Sequence, residues 1–159
     1  MSGGGGIVDV MSLRRGLMMR MASGNIEILY HYVFTEQLYG KRVDLPNNAF
    51  TKYKKIWVIV YAETGSNSSW IYPFQFNTDN TSGDLWYNID TTKLPLPYCV
   101  MLNKDTVGNW NVTMTASSIK TATIIPSESG NYFVTRMYNS ASNYFATGSE
   151  IIVIGEKDN

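Results

Sequence analysis

Residues 55–62 read Lys-Ile-Trp-Val-Ile-Val-Tyr-Ala. After its leading lysine the run holds only β-branched residues, aromatics and a final alanine. An unbroken apolar run of strand length, rich in strong β-formers, predicts the most buried strand of the chain. The segments around it carry the same signature. Glu27–Phe34, Trp70–Phe76, Leu85–Ile89, Tyr98–Asn103, Ser118–Ile125, Gly130–Tyr138 and Glu150–Gly155 all read as strands. Trp110, Val112 and Met114 alternate with Asn111, Thr113 and Thr115, the pattern of a half-buried strand with one wet face.

Turn residues separate these runs. Leu45-Pro46-Asn47-Asn48, Gly65–Ser68, Asp79–Gly83, Val107-Gly108-Asn109, Ser127–Gly130 and Asn139–Asn143 punctuate the chain at short intervals. About nine strands at such spacing predict a mainly β fold, an antiparallel β-sandwich or jelly roll. No internal repeat interrupts it. At 159 residues there is room for one such domain, residues 25–159, and an N-terminal element.

That N-terminal element is of a different kind. Residues 2–6 are a serine and four glycines, a flexible arm. Residues 7–22 (IVDVMSLRRGLMMRMA) predict a short helix. Asp9 early and Arg14, Arg15 and Arg20 later complement the helix dipole, and Gly24 reads as its stop. Ile7, Met11, Met18 and Met21 fall on a heptad frame, with Arg14 interrupting it. Val10, Leu13 and Leu17 form a second stripe beside them. Two adjoining stripes make a wide apolar face, suited to several helices or to docking on a body. A helix of roughly four turns does not hold itself up in water. We therefore expect residues 1–24 to serve oligomerisation and anchoring through these seven apolar side chains.

Composition narrows the function classes. Net charge is zero and charged residues are 16% of the chain, so the basic excess of a nucleic-acid binder is missing. No stretch has the length of a membrane-spanning helix, and no membrane insertion is expected. The start, MSGGGG, has no basic and apolar signal segment, so we expect synthesis in the cytosol and release by lysis. One cysteine, Cys99, excludes an internal disulfide and reads as a small buried hydrophobe. One cysteine and one histidine, His31, do not make a structural zinc site within one chain. No Gly-x-Ser-x-Gly elbow accompanies that histidine. The loop Asp79–Asp84 lacks the ligand spacing of an EF-hand. No catalytic residue, metal or cofactor is expected, and the chain reads as a non-enzyme.

Aromatic residues are the credible ligand-binding material. They make up 13% of the chain, with eleven Tyr. Trp70 and Tyr72 share strand parity, and Trp86 lies in a second aromatic cluster. Sugar rings stack on exposed Trp and Tyr, which offer an apolar face and a polar edge.

The stretch Ser12-Leu13-Arg14-Arg15-Gly16-Leu17-Met18-Met19-Arg20-Met21-Ala22-Ser23-Gly24 resembles the short N-terminal helix of small structural proteins of tailed phages and prophages of gut Firmicutes. In those chains SLRRGLMM-x-MA-x-G precedes a β-sandwich. The run Phe50–Val60 (Phe-x-Lys-Tyr-Lys-Lys-Ile-x-Val-x-Val) and the ending Glu150–Gly155 also resemble theirs. The likeness is close over the helix and loose over the body. It implies a virion component, a tail-tip, baseplate or fibre protein, assembled as a homotrimer. The N-terminal part would attach to other virion proteins, and the β domain would be displayed toward a host-surface glycan. A head fibre or capsid decoration protein with a purely structural role is the alternative it leaves. The resemblance brings no catalytic residues.

Overall fold

The computed structural model describes residues 24–63, 70–76, 89–90, 96–114, 120–126, 130–137 and 144–157. The expected helix at residues 7–22, with its seven apolar positions, lies outside them. Ten strands and one four-residue helix are found among the described residues. The strands are β1 (Ile26–Val33), β2 (Gly40–Leu45), β3 (Tyr53–Ala62), β4 (Trp70–Phe76) and β5 (Ile89–Asp90). They continue with β6 (Leu96–Lys104), β7 (Trp110–Met114), β8 (Lys120–Ile124), β9 (Asn131–Met137) and β10 (Glu150–Lys157). The helix α1 (Ala49–Lys52) leads directly into β3.

The strands form two antiparallel sheets. One runs β1-β10-β3-β6-β7-β8, the other β2-β9-β4-β5. The pairing has a simple logic. β1 pairs with β10, β2 with β9, β3 with β6 and β4 with β5. The chain is thus one long hairpin whose two arms pair along their length and then wrap into two sheets. This is the jelly roll. The hairpin β7–β8 is inserted between β6 and β9 and extends the larger sheet.

The core lies between the sheets and follows strand parity. On β3, Ile56, Val58, Val60 and Ala62 are fully buried. They meet Ile151 and Val153 of β10, Val100 and Leu102 of β6, and Trp110 and Val112 of β7 in one cluster. The smaller sheet closes it with Val43, Leu45, Phe76 and Phe133. Phe50 of α1 stands edge-on to both Phe76 and Trp110, with ring centroids 5.7 and 4.9 Å away. The expected burial of residues 55–62 and the alternation of β7 are both found. Cys99, expected to be a small buried hydrophobe, is half-buried.

Two departures matter. β2 was not expected, because its sequence, Gly-Lys-Arg-Val-Asp-Leu, is mostly polar. It is an edge strand with one wet face, so only Val43 and Leu45 need be apolar. α1 follows the expected turn at Leu45–Asn48 and was not expected, since four residues carry no periodicity.

One end of the larger sheet is locked by polar contacts. Glu27 faces Gly155 across β1 and β10. A Cβ on Gly155 would sit 2.6 Å from the Tyr53 ring, so glycine is what lets that ring into the core. The Tyr53 hydroxyl donates to Glu27 Oε2 at 2.7 Å. Lys52 Nζ lies 2.8 Å from the same oxygen, and Lys157 Nζ 3.5 Å. Hydrogen bonds from Lys52 and Tyr53 hold the Glu27 carboxyl down at about 2. The opposite end is tied by backbone. Phe34 N–H donates to Ser149 O, and Gly148 N–H to Phe34 O, each at 2.8 Å.

Candidate functional site

The outer face of the four-stranded sheet is built by β2 and β9. Val43 and Leu45 point inward opposite Phe133 and Asn131, so the residues that alternate with them point out. Those are Arg42 and Asp44, opposite Val134 and Tyr132. The Arg42 guanidinium lies 3.7 Å above the Tyr132 ring, a cation–π stack. Its Nη2 and Nε donate to Asp44 Oδ1 at 2.7 and 3.0 Å. Both side chains stay in water, 58% and 69% exposed. An exposed pair of this kind stabilises by no more than about 1 kcal/mol. Its effect is positional: the guanidinium is laid flat on a ring beside a carboxylate.

Two of the aromatic residues singled out by sequence join this sheet through backbone register. Ile71 pairs with Met137 and Tyr72 with Arg136. Phe76, which is buried, pairs with buried Phe133. Trp70 lies two positions before Tyr72 and pairs with Asp90. The register therefore places Trp70 and Tyr72 on β4, beside β9, in the same sheet as Arg42, Asp44 and Tyr132. Trp86 lies outside the described residues.

Sequence reasoning missed Arg42, Asp44 and Tyr132. The alternation Arg42-Val43-Asp44-Leu45 was the available signal for the strand. Nothing local places Tyr132 beside it. Arg42 can donate charge-assisted hydrogen bonds to hydroxyls or an acidic group, and Asp44 can accept them from hydroxyls.

Other polar constellations have structural explanations. His31 Nε2 lies 2.9 Å from Glu150 Oε2 across β1 and β10, on the outer side of the larger sheet. Asp105 organises the β6–β7 turn. Its Oδ1 accepts from the backbone N–H groups of Val107 and Asn109, and its Oδ2 from the amides of Asn109 and Asn111. Desolvation pushes that carboxyl up, and these hydrogen bonds outweigh it and leave the pKa lowered. Gly108 closes the turn at φ +94°, a conformation that favours glycine. Among the described residues no group of His, Cys, Asp and Glu could hold a metal ion, and no helix is long and apolar enough to cross a membrane.

No family model, no curated protein and no solved structure matches this chain.

Proposed function

We propose that the chain is a virion structural protein of a tailed phage. It is a tail-tip, baseplate or fibre component that displays its jelly roll to a host-surface glycan as a homotrimer. The observation that carries the ligand-binding part is the outward stack of Arg42 on Tyr132 with Asp44 beside it. The virion part rests on the resemblance of residues 12–24 and on a helix too short to stand alone in water. Jelly rolls serve many purposes, capsid and lectin domains among them, so the fold agrees with this reading without deciding it.

The mechanism is avidity. Each platform is small, exposed and weak. Copies held together turn the second and third contacts into intramolecular events, which raises overall attachment by orders of magnitude without new contacts. The N-terminal segment supplies the joining and the anchor to other virion proteins. No nucleic acid, cofactor or catalytic step enters.

Sedimentation of the full chain and of a chain lacking residues 1–24 tests the assembly. A trimer that falls apart on truncation supports it; a monomer in both removes it. Binding to host cell-surface polysaccharide tests the platform. Arg42→Ala and Tyr132→Ala should each weaken attachment while leaving the fold intact. Attachment that never occurs, or that survives both changes, assigns a scaffold such as a head fibre or capsid decoration instead. An electron-microscopy map of the parent particle would locate the chain.

A further inference from the structure

The outer face of the six-stranded sheet is apolar where a water-facing sheet would be polar. Strand register lines up Ile28, Ile154, Trp57 and Met101 in one row across β1, β10, β3 and β6. The next row holds His31, Ile152, Ile59 and Cys99. Ile154 and Ile59 are 3% and 8% exposed, yet both stand outside the contiguous core cluster, on the side away from the smaller sheet. No described strand or helix is stacked on that side. At the margin, Ile28 and Val33 are 42% and 40% exposed. The band ends where Lys55, Asn103, Asn111 and Thr123 form a polar row.

We infer that residues 7–22 of the same chain lie as a helix across this band. The segment leaves the body at the band's own border. β1 is the edge strand, and Ile28 is only the third residue of it. The turn before it is fixed: Gly24 has φ +76°, and Lys157 N–H donates to Asn25 O at 2.9 Å. Twenty-three residues precede Gly24, so the segment is long enough to return. A 16-residue helix spans about 24 Å. Four adjacent strands span about 14 Å from first to last, so the helix covers the band with length to spare.

The two stripes of the helix divide the work. Val10, Leu13 and Leu17 are branched, and branched side chains fill the spaces between Ile154, Ile59 and Trp57. The heptad stripe Ile7, Met11, Met18 and Met21 lies about 90° around the helix, at 100° per residue. It faces sister copies. The helix then couples the sandwich to the assembly, whereas an isolated stalk would leave the sheet band bare. This inference deepens the proposed function and rests on its helical reading of residues 7–22.

Cys99 reports on the band without any change to it. Burial pushes its thiol up to about 11, and the thiolate is the reactive form. In the full-length protein, N-ethylmaleimide should label Cys99 slowly. The full-length double variant Leu13→Asp/Leu17→Asp should label roughly tenfold faster or more, as local opening of a docked segment requires. A second measurement needs no disruption. Full-length Leu13→Cys should be joined to Cys99 by a short bismaleimide within one chain. Unchanged labelling in the double variant, or joining only between chains, overturns the inference. Sedimentation separates it from the trimer: a monomer that protects Cys99 keeps this inference and loses the trimer, and a trimer that leaves Cys99 open does the reverse.

Discussion

The two sheets turn opposite kinds of surface outward. The smaller shows Arg42, Asp44 and Tyr132, with a guanidinium stacked on a phenol ring. The larger shows Ile28, Ile154, Trp57, Met101, Ile152 and Ile59, with Ile154 and Ile59 nearly closed to water. Both sheets share one core, so the core does not explain the difference. A solvated sheet face is normally polar, and alternation along the strand records it. β2 obeys that rule, and β3 does not. The lesson is that β3 reads as a continuous apolar run because each of its two faces has something to bury. One face buries against the smaller sheet. The other calls for a cover, which the N-terminal segment is proposed to provide.

Substituting the same chemistry on the two outer faces breaks or sustains this contrast. Ile154→Ala should destabilise by about 2–4 kcal/mol, the cost of truncating a buried isoleucine. Val134→Ala, on the outer row of the smaller sheet opposite Arg42, should cost less than about 1 kcal/mol, as half-buried surface positions do. Urea unfolding of both measures the gap. Equal costs would show that the larger sheet's outer face is ordinary surface.

The next position along β10 sharpens the contrast within one strand. Gly155 faces the core while Ile154 faces out. Gly155→Ala puts a methyl 2.6 Å from two Tyr53 ring carbons. The ring must shift, and its hydroxyl must stretch or lose its bond to Glu27. Overpacking of this kind costs about 1–3 kcal/mol. A stability unchanged from wild type in the same unfolding experiment would mean that Tyr53 is not seated there.

Much of this was legible before any coordinates. The β class, the burial of residues 55–62 and the alternation of β7 follow from side-chain period, which is local. The sheet order does not. β10 lies between β1 and β3 because of pairings more than a hundred residues apart in sequence for β1, and no local pattern encodes a partner. The site divides in the same way. Trp70 and Tyr72 stand out by residue type, whereas Arg42 and Tyr132 become neighbours only once β2 pairs with β9. β2 itself hid because an edge strand with a wet face needs just two apolar residues.

Acid tests the polar lock at the end of the larger sheet. Glu27 titrates at about 2 in the folded chain, below its ordinary value of 4.5, because Lys52 and Tyr53 hydrogen-bond its charged form. A lowered folded pKa contributes stability above the unfolded value and loses it as pH falls through the folded one. The window therefore runs from about pH 4.5 down to about 2. Glu27→Gln should be less stable than wild type at neutral pH, and the difference should shrink as pH falls through that window. Thermal unfolding across the range reads it. A difference independent of pH would remove Glu27 as the charged partner of Lys52 and Tyr53.

The smallest effect on stability is expected where the effect on binding should be largest. Arg42 is exposed, and its carboxylate partner Asp44 is two residues away on the same edge strand. Arg42→Ala removes a solvated ion pair and one cation–π contact, so unfolding should move by no more than about 0.5 kcal/mol. If the guanidinium is there to meet a ligand, the same change should weaken attachment to host polysaccharide. Arg42→Lys should not restore it, because an ammonium lacks the planar fork that lies flat on Tyr132 and pairs side-on with a carboxylate. Full rescue by lysine would reduce the site to a point charge. A marked loss of stability with no change in attachment would invert the comparison and make the polar face, too, part of the scaffold.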